Sequence, residues 1–168
     1  GLRAADVRVI PAAAGGPKGL ALNALDRFIF GRWLRDVVQP VHLMGASIGA
    51  WRMAAACLPD ADAALRELAD DYIAQDYPHA PSKPPRARDV SRVFGATIEA
   101  RLGLRAAQIL SHPHFRLHVI ASRGRHVMRR ERRVVTALGW LGAFATNAVS
   151  RRAMGGWLER VMFSDARE

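Results

Sequence analysis

The chain has 168 residues, half of them apolar, which is enough for one globular domain with a core. Its net charge of +10 comes almost wholly from arginine, whose planar guanidinium suits phosphate groups, although a GC-rich coding sequence gives the same excess. The only cysteine, Cys57, excludes an internal disulfide and favours a reducing compartment, so we expect a cytoplasmic protein. No apolar run reaches membrane-spanning length.

The first third of the sequence predicts a strand, a helix and a second strand. Residues 7–12 (VRVIPA) are β-branched and apolar and run into glycines, as buried strands do. Residues 18–37 predict a helix with one apolar face at three- and four-residue spacing, formed by Leu22, Leu25, Phe28, Ile29 and Trp33. A second apolar run, 41–44, follows Pro40, so the order is that of a parallel crossover.

The remainder continues the alternation of helices and strands. The predicted elements are an alanine-rich helix at 48–58, a helix at 61–75 capped by Asp60 or Asp62, a helix around 90–98, a strand at 115–122, a buried or interfacial helix at 134–149 and a strand from 161. Four prolines within 78–86 predict an extended loop, either a lid or a connector. This order predicts a three-layer α/β/α domain with a mainly parallel central sheet.

Residues 45–49, Gly-Ala-Ser-Ile-Gly, match Gly-x-Ser-x-Gly between a predicted strand and a predicted helix. In a nucleophile elbow the strand turns so sharply into the helix that the serine backbone is strained, and the flanking glycines relieve the crowding. Ser47 is therefore the candidate nucleophile, with Gly45 and Gly49 as the elbow glycines. The alternative is a plain turn built from small residues.

Residues 15–19, Gly-Gly-Pro-Lys-Gly, also lie between a predicted strand and a predicted helix. Consecutive glycines let backbone amides approach an anion, so the loop is a candidate oxyanion hole or anion nest. It lacks the ending of a nucleotide-binding loop and the spacing of a dinucleotide fingerprint. Both glycine loops follow strands of one parallel sheet, so we expect them to meet at its carboxyl edge.

These two motifs together resemble the N-terminal half of the patatin-like phospholipases. That family has a glycine-rich loop, then Gly-x-Ser-x-Gly-Ala, and later Asp-Gly-Gly or Asp-Gly-Ala, and it hydrolyses acyl esters of lipids with a serine–aspartate dyad. The resemblance covers residues 7–58 and implies that Ser47 is the nucleophile and that the amides of Gly15, Gly16 and Lys18 stabilise the oxyanion. It implies a lipid or phospholipid ester as substrate, and no metal or cofactor.

Two departures from the family pattern stand out. Ala14 replaces the first loop glycine, and none of the ten aspartates is followed by glycine. The family's aspartate lies well over a hundred residues after the serine, and this chain ends 121 residues after Ser47. We therefore expect 1–168 to be the N-terminal part of one patatin-like domain, nearly inactive without its base.

Three other interpretations compete with the serine–aspartate dyad, and the sequence gives little support to the first two. A Ser-His-Asp triad needs a histidine, for which His42 on the strand before the elbow is better explained as a packed residue. His112 and His114 form a His-x-His pair, but no cysteine or carboxylate cluster accompanies them, so no metal site is predicted. The third interpretation is a non-catalytic, patatin-like pseudoenzyme.

The densest basic run is formed by Arg123, Arg125, Arg129, Arg130, Arg132 and Arg133. It contains no base-stacking aromatic residue and no recognition motif, so specific nucleic-acid binding is not expected. Beside the apolar segment 134–149, it predicts contact with an anionic membrane surface, which would make the protein peripheral to the membrane. A solvated surface loop is the alternative, and oligomeric state is not readable from the sequence.

Overall fold

The computed structural model describes residues 1–13, 15–77, 85–129 and 133–167, in a mixed α/β fold with an open, mainly parallel sheet of four strands. The chain divides into two compact units. The first runs from Gly1 to Val119 and takes in the C-terminal residues from Ser164, and the second is Ile120–Phe163. The sheet is compatible with the predicted three-layer architecture.

The sheet has the strand order β1-β2-β3-β4, with β1 at Val9–Ala12, β2 at Val41–Ala46, β3 at Phe115–Gly124 and β4 at Leu158–Ser164. Strands β1 and β2 are parallel, with Ala12 in register with Gly45. The amino ends of β2 and β3 also meet, because Val41 N donates to His114 O at 2.9 Å. Strand β4 runs antiparallel to β3: Arg125 N donates to Trp157 O, and Asp165 N donates to Leu117 O.

The predicted helix at 18–37 forms, but as three segments of different winding. A 3-10 helix at Gly16–Leu22 leads into α1 at Asn23–Phe28, and a π-helical turn follows at Ile29–Trp33. The predicted apolar face is wrong, because Leu22, Leu25 and Phe28 are exposed and only Ile29 and Trp33 pack against the core. The changes of winding shift the phase, and the inward positions go to Asp26 and Phe30.

Helix α2, Ile48–Ala56, is buried along nearly its whole length. Its alanines allow it to pack closely on β1 and β2, and Pro59 follows its end as predicted. Helix α3, Ala61–Ile73, packs on α1 and α2. The N-cap of α3 is Asp60, whose carboxylate accepts the Ala63 amide at 2.9 Å.

The described part of the first unit contains two further helices: α4 at Ala87–Arg101, which confirms the predicted amphipathic helix, and α5 at Ala106–Leu110, which was not predicted. The predicted lid or connector at 78–86 lies mostly outside the described residues. Short 3-10 turns occur at Ala4–Asp6, Gly103–Arg105, His126–Arg129 and Arg151–Gly156.

The second unit contains helix α6, Arg133–Val149, the second half of β3 and most of β4. Of the two predictions for 134–149, a buried helix is wrong, because Leu138, Leu141 and Phe144 are exposed. Within the described residues no helix has the length and apolar character needed to cross a membrane.

Candidate active site

Ser47 is the single residue between the end of β2 at Ala46 and the start of α2 at Ile48. Its backbone has φ 54° and ψ −129°, a conformation that residues with a side chain rarely adopt. The side chain is exposed, and its hydroxyl forms no hydrogen bond with any residue that the structure describes. The turn therefore holds a strained, outward-facing hydroxyl at the carboxyl end of a parallel strand.

Gly45 and Gly49 are required by the close packing of this turn. A Cβ on Gly45 would lie 2.5 Å from the Ala50 amide nitrogen, inside the first turn of α2. A Cβ on Gly49 would collide with the Ala12 carbonyl at the end of β1, with the carbonyl carbon at 2.7 Å. Since both obstacles are backbone atoms, neither glycine can be replaced without moving the turn.

The first amides of α2 point toward the same end of the sheet. Ser47 O accepts from Ala50 N at 2.9 Å, whereas the amides of Ile48 and Gly49 donate to none of the described residues. Free amides and the helix dipole at an N-terminus favour negative charge. The turn thus places donors next to the Ser47 hydroxyl.

The glycine loop lies against this turn, as expected from the two parallel strands. A Cβ on Gly19 would lie 2.9 Å from Cγ2 of Ile48, so the loop contacts the residue that follows Ser47. Gly16 has φ 53°, which suits glycine, and Gly15 and Gly16 donate their amides to none of the described residues. The Lys18 amide donates to Gly15 O at 3.3 Å and is already engaged. Ala14 lies outside the described residues.

A buried ion pair, which was not predicted, joins the helices that follow the two loops. Arg52 of α2 donates to Asp26 of α1 through Nε at 2.5 Å and Nη2 at 2.7 Å, and the side chains are only 8% and 6% exposed. A bidentate pair of this kind fixes both distance and orientation. Arg52 is the only charged residue within 41–59, and a lone charge in a buried helix needs a partner.

An aromatic cluster of Trp51, Tyr72, Tyr77 and Phe94 adjoins the turn. Trp51 lies one helical turn after Ser47, and the ring of Phe94 is 5.0 Å from Trp51 and 5.6 Å from Tyr72 between centroids. The hydroxyl of Tyr72 would be 3.9 Å from a Cβ on Gly16. The cluster therefore borders the Ser47 turn through Trp51 and the glycine loop through Tyr72. Helical spacing could have indicated Trp51, but its aromatic partner Phe94 comes from α4.

Three of the described histidines, His42, His112 and His118, interact with groups other than Ser47. His42 lies five residues before Ser47, roughly 15 Å along an extended strand, and its Nδ1 is 2.8 Å from Nε2 of His118. His112 accepts the amides of His114 and Phe115 at Nδ1, and burial lowers the pKa of His112 to about 4, so it is a neutral acceptor. His79 lies outside the described residues.

Other nucleophile, base and metal candidates are also accounted for. Burial raises the pKa of the Cys57 thiol to about 12, which makes it an inert core residue. No described carboxylate forms a hydrogen bond with Ser47. Among the described residues no group of three or more histidines, cysteines or carboxylates is arranged to hold a metal ion.

The fold and this turn define a mixed α/β domain with a serine on a strained strand-to-helix connection. Comparison with known proteins found no matching family model, no matching curated protein and no matching solved structure. What the chain does is therefore inferred from its own residues and their geometry.

Proposed function

We propose that this chain carries the nucleophile half of a patatin-like serine lipid acyl hydrolase, in a three-layer α/β/α domain, with Ser47 as nucleophile. The observation that carries the proposal is the Ser47 backbone, φ 54° and ψ −129°, at a turn whose flanking glycines are both required by packing. Strain of this kind, of order 1–3 kcal/mol, is typical of functional sites. A plain connection between a strand and a helix has no need of it.

In the proposed reaction the Ser47 hydroxyl oxygen attacks the ester carbonyl carbon and passes its proton to a carboxylate base. The carbonyl electrons move onto oxygen, and amides of Gly15 and Gly16, which donate to no described residue, stabilise that charge. Collapse of the intermediate expels the alcohol with the proton, and water then hydrolyses the acyl-serine. The Lys18 amide is less suited, because Gly15 O already accepts it.

The proposed substrate class is an acyl ester of a lipid. The aromatic cluster offers an apolar surface one helical turn from Ser47, where an acyl chain would lie during attack. Together with the sequence resemblance, this surface favours a lipid ester over a small polar ester.

A non-catalytic patatin-like domain is the second candidate. It is favoured by one observation, that no described carboxylate is hydrogen-bonded to Ser47. We propose that the base comes from an Asp-Gly-Gly or Asp-Gly-Ala motif in a longer protein. A parent gene that encodes this motif downstream supports the enzyme, and one that lacks it supports the pseudoenzyme.

Site-mapped labelling with a fluorophosphonate tests the nucleophile directly. Prolonged incubation followed by peptide mapping is expected to place the adduct on Ser47, slowly because no described carboxylate is hydrogen-bonded to it. Ser47→Ala should abolish the labelling, and Ser91→Ala, at an exposed serine on α4, should leave it unchanged. An adduct on another serine, or equal labelling of the Ser47→Ala variant, would remove Ser47 from the mechanism. In the longer protein, the same variant should abolish hydrolysis of a short-chain nitrophenyl ester.

A further inference from the structure

The second unit holds most of the net positive charge of the chain. Residues 120–163 contain nine arginines and two glutamates, so they account for +7 of the net +10. Arg123, Arg125, His126 and Arg129 line a cleft of about 240 Å³ together with a single acid, Glu159. Among the described residues of this unit, no arginine forms a salt bridge. This charge is therefore available to an anion.

Helix α6 packs into the second unit through its small residues. A Cβ on Gly142 would lie 2.6 Å from Cη2 of Trp157, whose indole nitrogen donates to the Thr146 hydroxyl at 2.9 Å. Gly139 and Ala143 are likewise buried, the former against Met128. The inner face of the helix is thus made of glycine, alanine and threonine.

The outer face of α6 carries the large apolar side chains. Leu138, Leu141 and Phe144 are 62%, 64% and 73% exposed, and Trp140 beside them is 54% exposed. No charged residue occurs between 134 and 149. A helix whose outer face is in contact with water has the opposite arrangement, with large apolar residues on the inner face and charged residues on the outer face. Large apolar side chains exposed together on one face of a helix are typical of a docking surface.

We infer that the second unit docks on an anionic lipid bilayer, with α6 lying in the interfacial plane. Arginines flank the apolar helix on both sides, at Arg129 before it and at Arg151 and Arg152 after it. A helix with apolar and aromatic residues between basic flanks binds the boundary between head groups and acyl chains. The arginine-lined cleft would take a lipid phosphate, to which guanidinium groups bind as bidentate donors.

Charge complementarity favours an anionic bilayer over a second copy of the chain or a nucleic acid. A second copy of the chain would bring two strongly basic surfaces together, which is unfavourable. A nucleic acid would use the arginines but leave the apolar face in water. An anionic bilayer is complementary to both features at once. The surface contains no residue of the Ser47 turn, so this inference stands or falls independently of the proposed chemistry.

Vesicle co-sedimentation of the Ser47→Ala chain tests the inference without any contribution from hydrolysis. We expect binding to phosphatidylcholine vesicles with 30% phosphatidylglycerol, weaker binding to pure phosphatidylcholine, and a roughly tenfold loss between 0.1 M and 0.5 M NaCl. Tryptophan emission should shift to the blue on binding, and Trp140→Phe should reduce that shift.

Matched variants test the apolar face of α6 and the arginine-lined cleft separately. Leu141→Ser or Phe144→Ser should weaken the partition coefficient about tenfold, whereas Leu104→Ser, at a residue that is 80% exposed in the first unit, should not change it. Arg125→Gln with Arg129→Gln should remove the preference for anionic lipid, whereas Arg92→Gln on α4 should retain it. A circular dichroism melt of each variant checks that it is folded.

Three outcomes would overturn the inference. They are binding that is equal with and without anionic lipid, binding that the Leu141→Ser and Phe144→Ser variants retain in full, and absence of vesicle binding. In the last case, dimers that Phe144→Ser dissociates would assign the face to a protein interface instead.

Discussion

The two compact units differ in the pairing of their arginines and in the burial of some of their leucines. The first unit pairs arginines with acids across its helices, as in Arg52–Asp26 and Arg101–Asp71, and encloses large apolar side chains such as Leu43. The described arginines of the second unit form no salt bridge, and its helix α6 turns Leu141 outward. Composition alone does not distinguish these uses, because each depends on which groups face each other in the fold.

The difference has a physical meaning for each unit. In the first, paired charges and a packed core hold the strained backbone of Ser47 in place. Strain persists only where the surrounding structure over-determines it. In the second, unpaired charge and an exposed apolar face leave free energy to be gained by contact with another surface. The proposed nucleophile thus lies in the first unit, and the proposed lipid-binding surface lies in the second.

The largest expected effect comes from breaking the buried ion pair. Asp26→Asn leaves the Arg52 guanidinium buried without its counter-charge, which should lower the free energy of unfolding by about 3–5 kcal/mol in chemical denaturation. Arg129→Gln in the second unit removes an unpaired charge and should change stability by less than about 0.5 kcal/mol. Replacing both partners, Asp26→Leu with Arg52→Met, should recover most of the loss. Equal effects of Asp26→Asn and Arg129→Gln would mean that the pair does not hold the two helices.

A pair of leucines tests the contrast in apolar packing. Leu43→Ala empties a fully buried position on β2 and should cost about 2–5 kcal/mol. Leu141→Ala, on the outer face of α6, should change stability by less than about 0.5 kcal/mol in the absence of lipid. Thermal unfolding of the two variants measures both values. A large loss for Leu141→Ala would show that α6 is buried in solution, by self-association.

The sequence predicted those parts of the fold that are determined by residues close together in the chain. Strands β1 and β2 and helices α2, α3 and α4 were predicted within a few residues, because strand runs, capping residues and prolines act on neighbouring positions. The buried face of residues 18–37 was not predicted correctly. Asp26 lies inward because Arg52, 26 residues later, meets it there, and no local pattern contains that contact.

The candidate site also has one part that neighbouring residues determine and another that depends on contacts between distant residues. The Ser47 turn follows from glycine spacing between a strand and a helix, so its geometry was predictable. The engagement of the Lys18 amide and the contact between Phe94 and Trp51 required the fold. The role of Ser47 as a nucleophile stays a prediction, and so does the identity of its base.

Adding one methyl group to the elbow tests how tightly the first unit is packed there. Gly49→Ala forces a Cβ into the Ala12 carbonyl and should cost about 1–3 kcal/mol, since backbone must move to relieve the contact. Gly95→Ala on α4 is the control: its Cβ would meet nothing within 4 Å, and alanine should stabilise the helix by about 0.5–1 kcal/mol. The denaturant midpoint should therefore fall in Gly49→Ala and rise in Gly95→Ala. A loss at both positions would point to a general effect of alanine instead.

The smallest expected effect is the most specific to the candidate site. Glycine adopts φ 54° without steric cost, so Ser47→Gly should stabilise the chain by about 1 kcal/mol, after the extra flexibility of glycine in the unfolded chain is offset. The same substitution in a regular helix, Ser91→Gly on α4, should destabilise by about 0.5 kcal/mol. If both variants lose stability, the Ser47 backbone is not strained. If only Ser47→Gly gains, the native serine is kept at a cost to stability, which is expected of a residue retained for its hydroxyl rather than for its packing.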